Sequence, residues 1–190
     1  MRDRWIVIAT LLCVAAGCSR PVSPEPELAP TATIKDLMDA MVDPSAEYLF
    51  DNIVEIVDVS GIIDKTPKTD EEWAEARRRA LMLVEAPNLL VTPGRKVAKP
   101  GEKPKYPEVE IGPEQIQQLI DNDRAAFVRR ARRLQDAAIL ALKAIDARDK
   151  AALFAKLGDV DKACESCHLH YWYPNDKRAR EAAREDGIVD

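Results

Sequence analysis

Residues 153–173 read LFAKLGDVDKACESCHLHYWY, and two patterns are superposed in them. Leu153, Phe154, Leu157, Val160, Ala163, Cys164, Cys167 and His168 recur at three- and four-residue steps, the period of one helix face. Within that period, Cys164-Glu165-Ser166-Cys167-His168 forms C-x-x-C-H, the attachment sequence of c-type haem. On a helix, positions i, i+3 and i+4 share one side, so two thiols and an imidazole project toward a single flat group. Each thiol can add across a porphyrin vinyl group to form a thioether, while His168 supplies a proximal nitrogen to iron. From composition alone the pattern would arise roughly 0.0009 times in such a chain, so its spacing carries information. Gly158-Asp159 predicts a break or bend midway along the segment.

Other uses of these residues fit less well. The chain has four Cys and two His, and outside residues 164–170 only Cys13 and Cys18 remain, close to the start. A structural zinc ion needs about four tetrahedral ligands, and drawing all of them from one short stretch would crowd a helix. A thioredoxin-like dithiol belongs beside a βαβ unit, and no strand pattern is evident. A Cys164–Cys167 disulfide leaves His168 unexplained. One covalently bound haem c, held by Cys164, Cys167 and His168, is the expected cofactor.

The rest of the chain supplies further helices. Of its 190 residues, 46% are hydrophobic, enough for a core, while aromatics at 5% and only 7 Gly favour an all-α fold over a sheet sandwich. Ile34, Leu37, Met38 and Met41, then Leu49, Phe50, Ile53, Ile56 and Val57, mark a first helix face, with a kink or restart at Asp43-Pro44, read as N-cap and first helical residue. A second begins at the capped turn Thr69-Asp70-Glu71-Glu72 and runs through Trp73, Ala76, Ala80, Leu83 and Val84 to Pro87. Residues 91–113 are too rich in Pro and Gly for a helix and form a long crossover, whose Arg95, Lys96, Lys99, Lys103 and Lys105 read as a solvated loop or a docking patch for an acidic partner. A long third helix carries Ile116, Leu119, Ile120, Phe127, Leu134, Ala138, Leu142 and Ile145 on one stripe. Arg129, Arg130, Arg132 and Arg133 fall mostly off it, as a solvated face from which one or two could reach a buried anion. Four amphipathic segments predict a four-helix bundle with the C-x-x-C-H motif on the C-terminal helix. The formal charge of −5, from 28 Lys+Arg against 33 Asp+Glu, argues against a nucleic-acid binder.

The N-terminus reads as an address. Residues 1–17 combine Arg2 and Arg4, an apolar run from Trp5 to Ala16, and small residues before Cys18, the pattern of a lipoprotein signal peptide with Cys18 as the lipidated first mature residue. The apolar run is far short of the roughly 20 residues a helix needs to span a bilayer. Residues 18–32, with Pro21, Pro24, Pro26 and Pro30, read as a Pro-rich tether. Residues 33–175 then form the haem domain and 176–190 a polar C-terminal tail. Export agrees with covalent haem, which in bacteria is generally attached outside the cytoplasm. The expected location is the periplasm, on a lipid anchor, with Ser19 in place of the acidic residue that retains many lipoproteins at the inner membrane, a hint toward the outer membrane.

A C-x-x-C-H motif on the last of four helices resembles the cytochrome c′ family of class II cytochromes, over about residues 33–175. The resemblance implies a monohaem four-helix bundle. The tail His170-Tyr171-Trp172-Tyr173-Pro174 looks like an exported haem lipoprotein subfamily, with Trp172 where the best-known cytochromes c′ carry a basic residue. In family members whose sixth iron position is filled, a methionine on the first helix fills it. Met38 matches that pattern best, with Met41 the alternative and Met82 a gap-filling core residue. His170 lies too close to His168 to reach the opposite side of the ring and suits a surface or propionate contact; no distal His remains for peroxidase-type acid–base work. Tyr171, Trp172 and Tyr173 either shield the haem edge or pack the bundle end. Two functions follow from the resemblance. The first is a non-enzymatic, membrane-tethered electron carrier serving redox partner proteins, with His168 and Met38 as axial ligands. The second is a five-coordinate module that binds or senses a diatomic gas. Relatives often pair through their first two helices, which implies a homodimer.

Overall fold

The computed structural model describes residues 29–58 and 61–188; the signal segment 1–17, Cys18 and most of the tether lie outside the described residues. Its elements, in order, are α1 (Ile34–Leu37), a π-helical turn (Met38–Val42), α2 (Asp43–Asn52), the strands β1 (Glu55–Asp58) and β2 (Gly61–Asp64), then α3 (Asp70–Leu90), α4 (Pro113–Asn122), α5 (Arg124–Asp146), α6 (Lys150–Tyr171) and α7 (Lys177–Glu185). The first three run on as one helical rod. With α3, α5 and α6, that rod makes a four-helix bundle in which α5 packs against both α3 and α6.

Side-chain caps set where the helices begin. Thr33 and Thr69 each accept from the backbone N–H three residues on, and Asp36 and Glu72 reach back to the two cap N–H groups. Asp149 caps α6 in the simpler way, accepting from Ala152 N. Between α3 and α5 the contact is built from Ala76, Ala80, Ala138 and Ala141, all at or near zero exposure, which lets the helices approach closely. Leu83, Leu153 and Val160 fill the space beside them. Burying each such aliphatic side chain stabilises the fold by about 1.5–3 kcal/mol relative to leaving it in water.

Local geometry departs from the sequence reading in several places. Asp43 is not an N-cap: Val42 precedes α2 and Asp43 is its first residue. The irregularity expected at Pro44 is the π turn before it, in which Asp43 N–H donates to Met38 O. A proline ring collides with the carbonyl four residues back, and a locally wider turn relieves that collision. The first helix also stops at Asn52, and Ile56 and Val57 lie on β1, paired antiparallel with β2 in the register Ile56↔Ile63 and Val57↔Ile62. β-Branched residues favour that state, and a lone hairpin inside a helical chain leaves little periodic signal.

α3 does not end at Pro87 but continues to Leu90, because Ala86, Pro87 and Leu90 are all buried. That packing offsets the roughly 3 kcal/mol cost of an interior proline. The expected single third helix is divided. Asp123 adopts φ −138°, ψ 73°, and its carboxylate accepts from Ala126 N at 2.8 Å, ending α4 and capping α5. Conversely, α6 passes through Gly158 unbroken, since Leu157 and Val160 on either side are locked in the core.

Residues 91–112 pack along the outside rather than looping free. Ile34 N donates to Lys96 O at 2.8 Å, Lys35 N to Val97 O at 2.9 Å, and Ile111 N to Trp172 O at 2.8 Å, so the crossover is stitched to both α1 and the end of α6. Arg95, counted with the basic loop residues, is instead buried; it donates to Leu89 O at 2.7 Å and to Ala32 O. Lys99 pairs with Asp36 at 2.8 Å, holding that carboxyl well below the ordinary carboxylate range. The polar tail carries α7, capped by Asp176 and anchored through buried Ala183. Among the described residues no helix is long and apolar enough to cross a membrane.

Candidate haem site

The helix period places the C-x-x-C-H residues on the core stripe of α6. Leu153, Leu157 and Val160 lead at three- and four-residue steps into Cys164, Cys167, His168 and Tyr171. In the first half of α6 the stripe is packed solid. Around the second half two cavities open, one of about 300 Å³ and one of about 210 Å³. Both are walled by Met38, Asp43, His168 and Trp172, so they adjoin across the imidazole. The smaller adds Cys164, Cys167, Phe50 and Phe127; the larger adds Val97, Tyr106 and Tyr173 from the crossover and the end of α6.

This cavity pair fits a flat, mostly apolar cofactor bound through two thioethers and one imidazole. The larger volume reaches the lower end of the range of cofactor sites, and the smaller cavity adjoins it. The thiols of Cys164 and Cys167 are free, recessed and directed to one cavity. Burial pushes both up to about 12, which keeps them from acting as thiolate nucleophiles and disfavours a redox dithiol. Burial likewise lowers the His168 pKa, favouring the neutral imidazole that ligates a metal. Among the described residues no cluster of three or more His, Cys, Asp or Glu is arranged to hold a bare metal ion. The residues that would hold the haem are Cys164 and Cys167 at its edge and His168 at iron, and the group when bound supplies one-electron redox chemistry.

Among the methionines of the described residues, Met38 shares cavity walls with His168, and Met41 and Met82 do not. The π turn starts at Met38 and places it, half-buried, on the wall of both cavities. Met41 packs on the core clusters without reaching either cavity wall. Met82 fills no core gap, contrary to the sequence reading: it is 45% exposed on α3.

The aromatic tail divides its work. Tyr171 is fully buried, edge-on to Phe127 at 5.5 Å, so it packs the bundle end. Trp172 and Tyr173 flank the imidazole, each ring centred 5.9 Å from that of His168. Burial raises the Tyr173 pKa, and the hydrogen bond its Oη donates to the Glu165 carboxylate at 2.6 Å raises it further. His170 points to the other side of α6, among Arg129, Arg130 and Arg180. Burial lowers its pKa, and the charges of Arg130 and Arg180 lower it further.

Two wall residues were not singled out from the sequence for this role. Asp43 is half-buried beside both cavities, its pKa raised by burial against the opposing pull of Lys105, 3.9 Å away. Arg130 borders the smaller cavity near Cys167. For Asp43 the available signal was its place five residues after Met38, one wide π turn along; for Arg130 only the fold distinguishes it from its neighbours.

No curated protein and no solved structure matches this chain. Residues 105–172, from the end of the crossover through α6, match the family model for cytochrome c′, which is what this part of the chain is similar to.

Proposed function

We propose that this monohaem cytochrome is an electron carrier, exported to the periplasm and tethered to the membrane through Cys18, with His168 and Met38 as the axial ligands of its haem. The observation that carries the reading is the position of Met38, the one methionine among the described residues that shares both cavity walls with His168. A thioether opposite an imidazole raises haem potential and fills the site at which an external ligand would bind. The protein then performs no bond chemistry of its own. Apolar walls from Phe50, Val97 and Phe127 would keep water from the ring, and Trp172 and Tyr173 would hold the imidazole in orientation. Redox proteins are its partners, and the tether lets it move between a membrane donor or acceptor and a soluble one. The homodimer and the outer-membrane placement belong to the same proposal.

The reduced absorption spectrum tests it. Sharp low-spin bands that carbon monoxide leaves unchanged are expected for the wild type. Met38→Ala should convert them to high-spin bands that shift with the gas. High-spin, gas-sensitive bands in the wild type would overturn the carrier reading in favour of diatomic-gas binding, and an unchanged low-spin spectrum in the variant would remove Met38 as ligand.

A further inference from the structure

Behind the haem motif, on the opposite side of α6, lies a third cavity of about 490 Å³ between α5, α6 and α7. Arg129, Arg130 and Arg133 of α5 and Arg180 of α7 line it, with Ser166 and His170 from α6, and no carboxylate is among its lining residues. Ser166 and His170 project from α6 away from Cys164 and His168, while His170 lies three residues after Cys167 and Arg130 borders both this cavity and the smaller haem cavity.

The arginines have little to neutralise them. Arg129 approaches Asp123 at only 4.0 Å, with both side chains largely exposed, a contact worth little in water. Arg180 donates to Leu169 O at 3.3 Å, a neutral acceptor. Arg130, which lines both this cavity and the smaller haem cavity, has its Nε buried without a hydrogen-bond partner. A buried guanidinium donor left unpaired is costly, and a native fold retains one where a partner joins it. Across the cavity, Gly187 takes φ +67° and turns the chain so that Ile188 N donates to Ala183 O at 2.7 Å, which closes the far wall with Ile188. Planar, five-donor guanidinium groups match tetrahedral oxyanions with two parallel hydrogen bonds apiece.

We propose that Arg130, Arg133 and Arg180, with Arg129 and His170 at the rim, form a binding site for a small phosphate-bearing oxyanion on the back of the haem helix. The same chemistry is offered by a soluble phosphate compound and by a phospholipid headgroup; a concave pocket walled on one side by α7, rather than a flat face, favours the soluble one. The site goes beyond electron transfer and does not depend on the identity of the sixth ligand.

Calorimetric titration of the purified haem-loaded chain with pyrophosphate, and separately with inorganic phosphate, tests it against chloride at matched ionic strength. One pyrophosphate per chain is expected, bound more tightly than inorganic phosphate. Arg133→Gln should weaken it at least tenfold and Arg133→Gln/Arg180→Gln further, with the haem spectrum unchanged in both as the check that the fold is intact. The assignment is overturned by heats no larger than the chloride control, or by equal binding in the double variant. Binding to phosphatidylglycerol vesicles without any binding of pyrophosphate would also overturn it.

Discussion

The two halves of α6 carry one continuous stripe yet meet opposite surroundings. Leu153, Leu157 and Val160 are at most 5% exposed and fully enclosed by α3, α5 and α2, whereas Cys164, Cys167 and His168, on the same line, face open space. The contrast shows that a cofactor site in a bundle need not interrupt the hydrophobic pattern of its helix. The stripe runs on, and the partners across from it withdraw. Opposite the solid half stand alanines and leucines of α3 and α5. Opposite the open half stand the π turn and the crossover, which hold Met38 and Val97 at the cavity rim rather than in its volume.

Substitutions can break that contrast from either end. The largest effect is expected from Cys164→Ser/Cys167→Ser: without the thiols no thioether forms, and mass spectrometry of the purified chain should show complete loss of the covalent tetrapyrrole. Retention of the added mass would overturn the haem assignment. In the closed half, Leu153→Ala should open a cavity where none exists and cost about 2–5 kcal/mol in denaturant unfolding, with haem still attached. A loss below about 1 kcal/mol would mean that the closed half is less tightly packed than its zero exposure for Leu153 implies. The smallest change sits where the halves meet the bundle end. Tyr171 keeps its hydroxyl buried without a partner, so Tyr171→Phe should stabilise the fold by about 1 kcal/mol, read as a raised denaturation midpoint. Destabilisation would show that the hydroxyl has a partner in the haem-loaded protein.

Much of this was legible before any coordinates. The Thr69 cap, the apolar faces and the helical bundle follow from local rules of periodicity and side-chain competition for backbone N–H groups. The misreadings cluster where two local signals conflict. At Pro87 and Gly158 a helix-breaking residue loses to burial on either side; at Asp123 a helix-compatible period loses to a carboxylate that caps its own chain. Arg95 looked like a surface charge because its acceptors, Leu89 O and Ala32 O, are backbone groups that only the fold brings within reach. Met82 looked like core because exposure of one apolar residue on an amphipathic helix is invisible to its period.

By itself the sequence determined the chemistry: thiol, thiol and imidazole at i, i+3 and i+4 can only face one way on a helix, because the helical repeat fixes their directions. Tertiary structure alone decided that Met38 lines the same two cavities as that imidazole and which arginines gather behind it. Those choices join residues more than a hundred positions apart for Met38 and His168, and about fifty for Arg130 and Arg180. Such pairings depend on how helices pack, on the extra residue wound into the π turn and on the seating of α7, none of which a local pattern encodes.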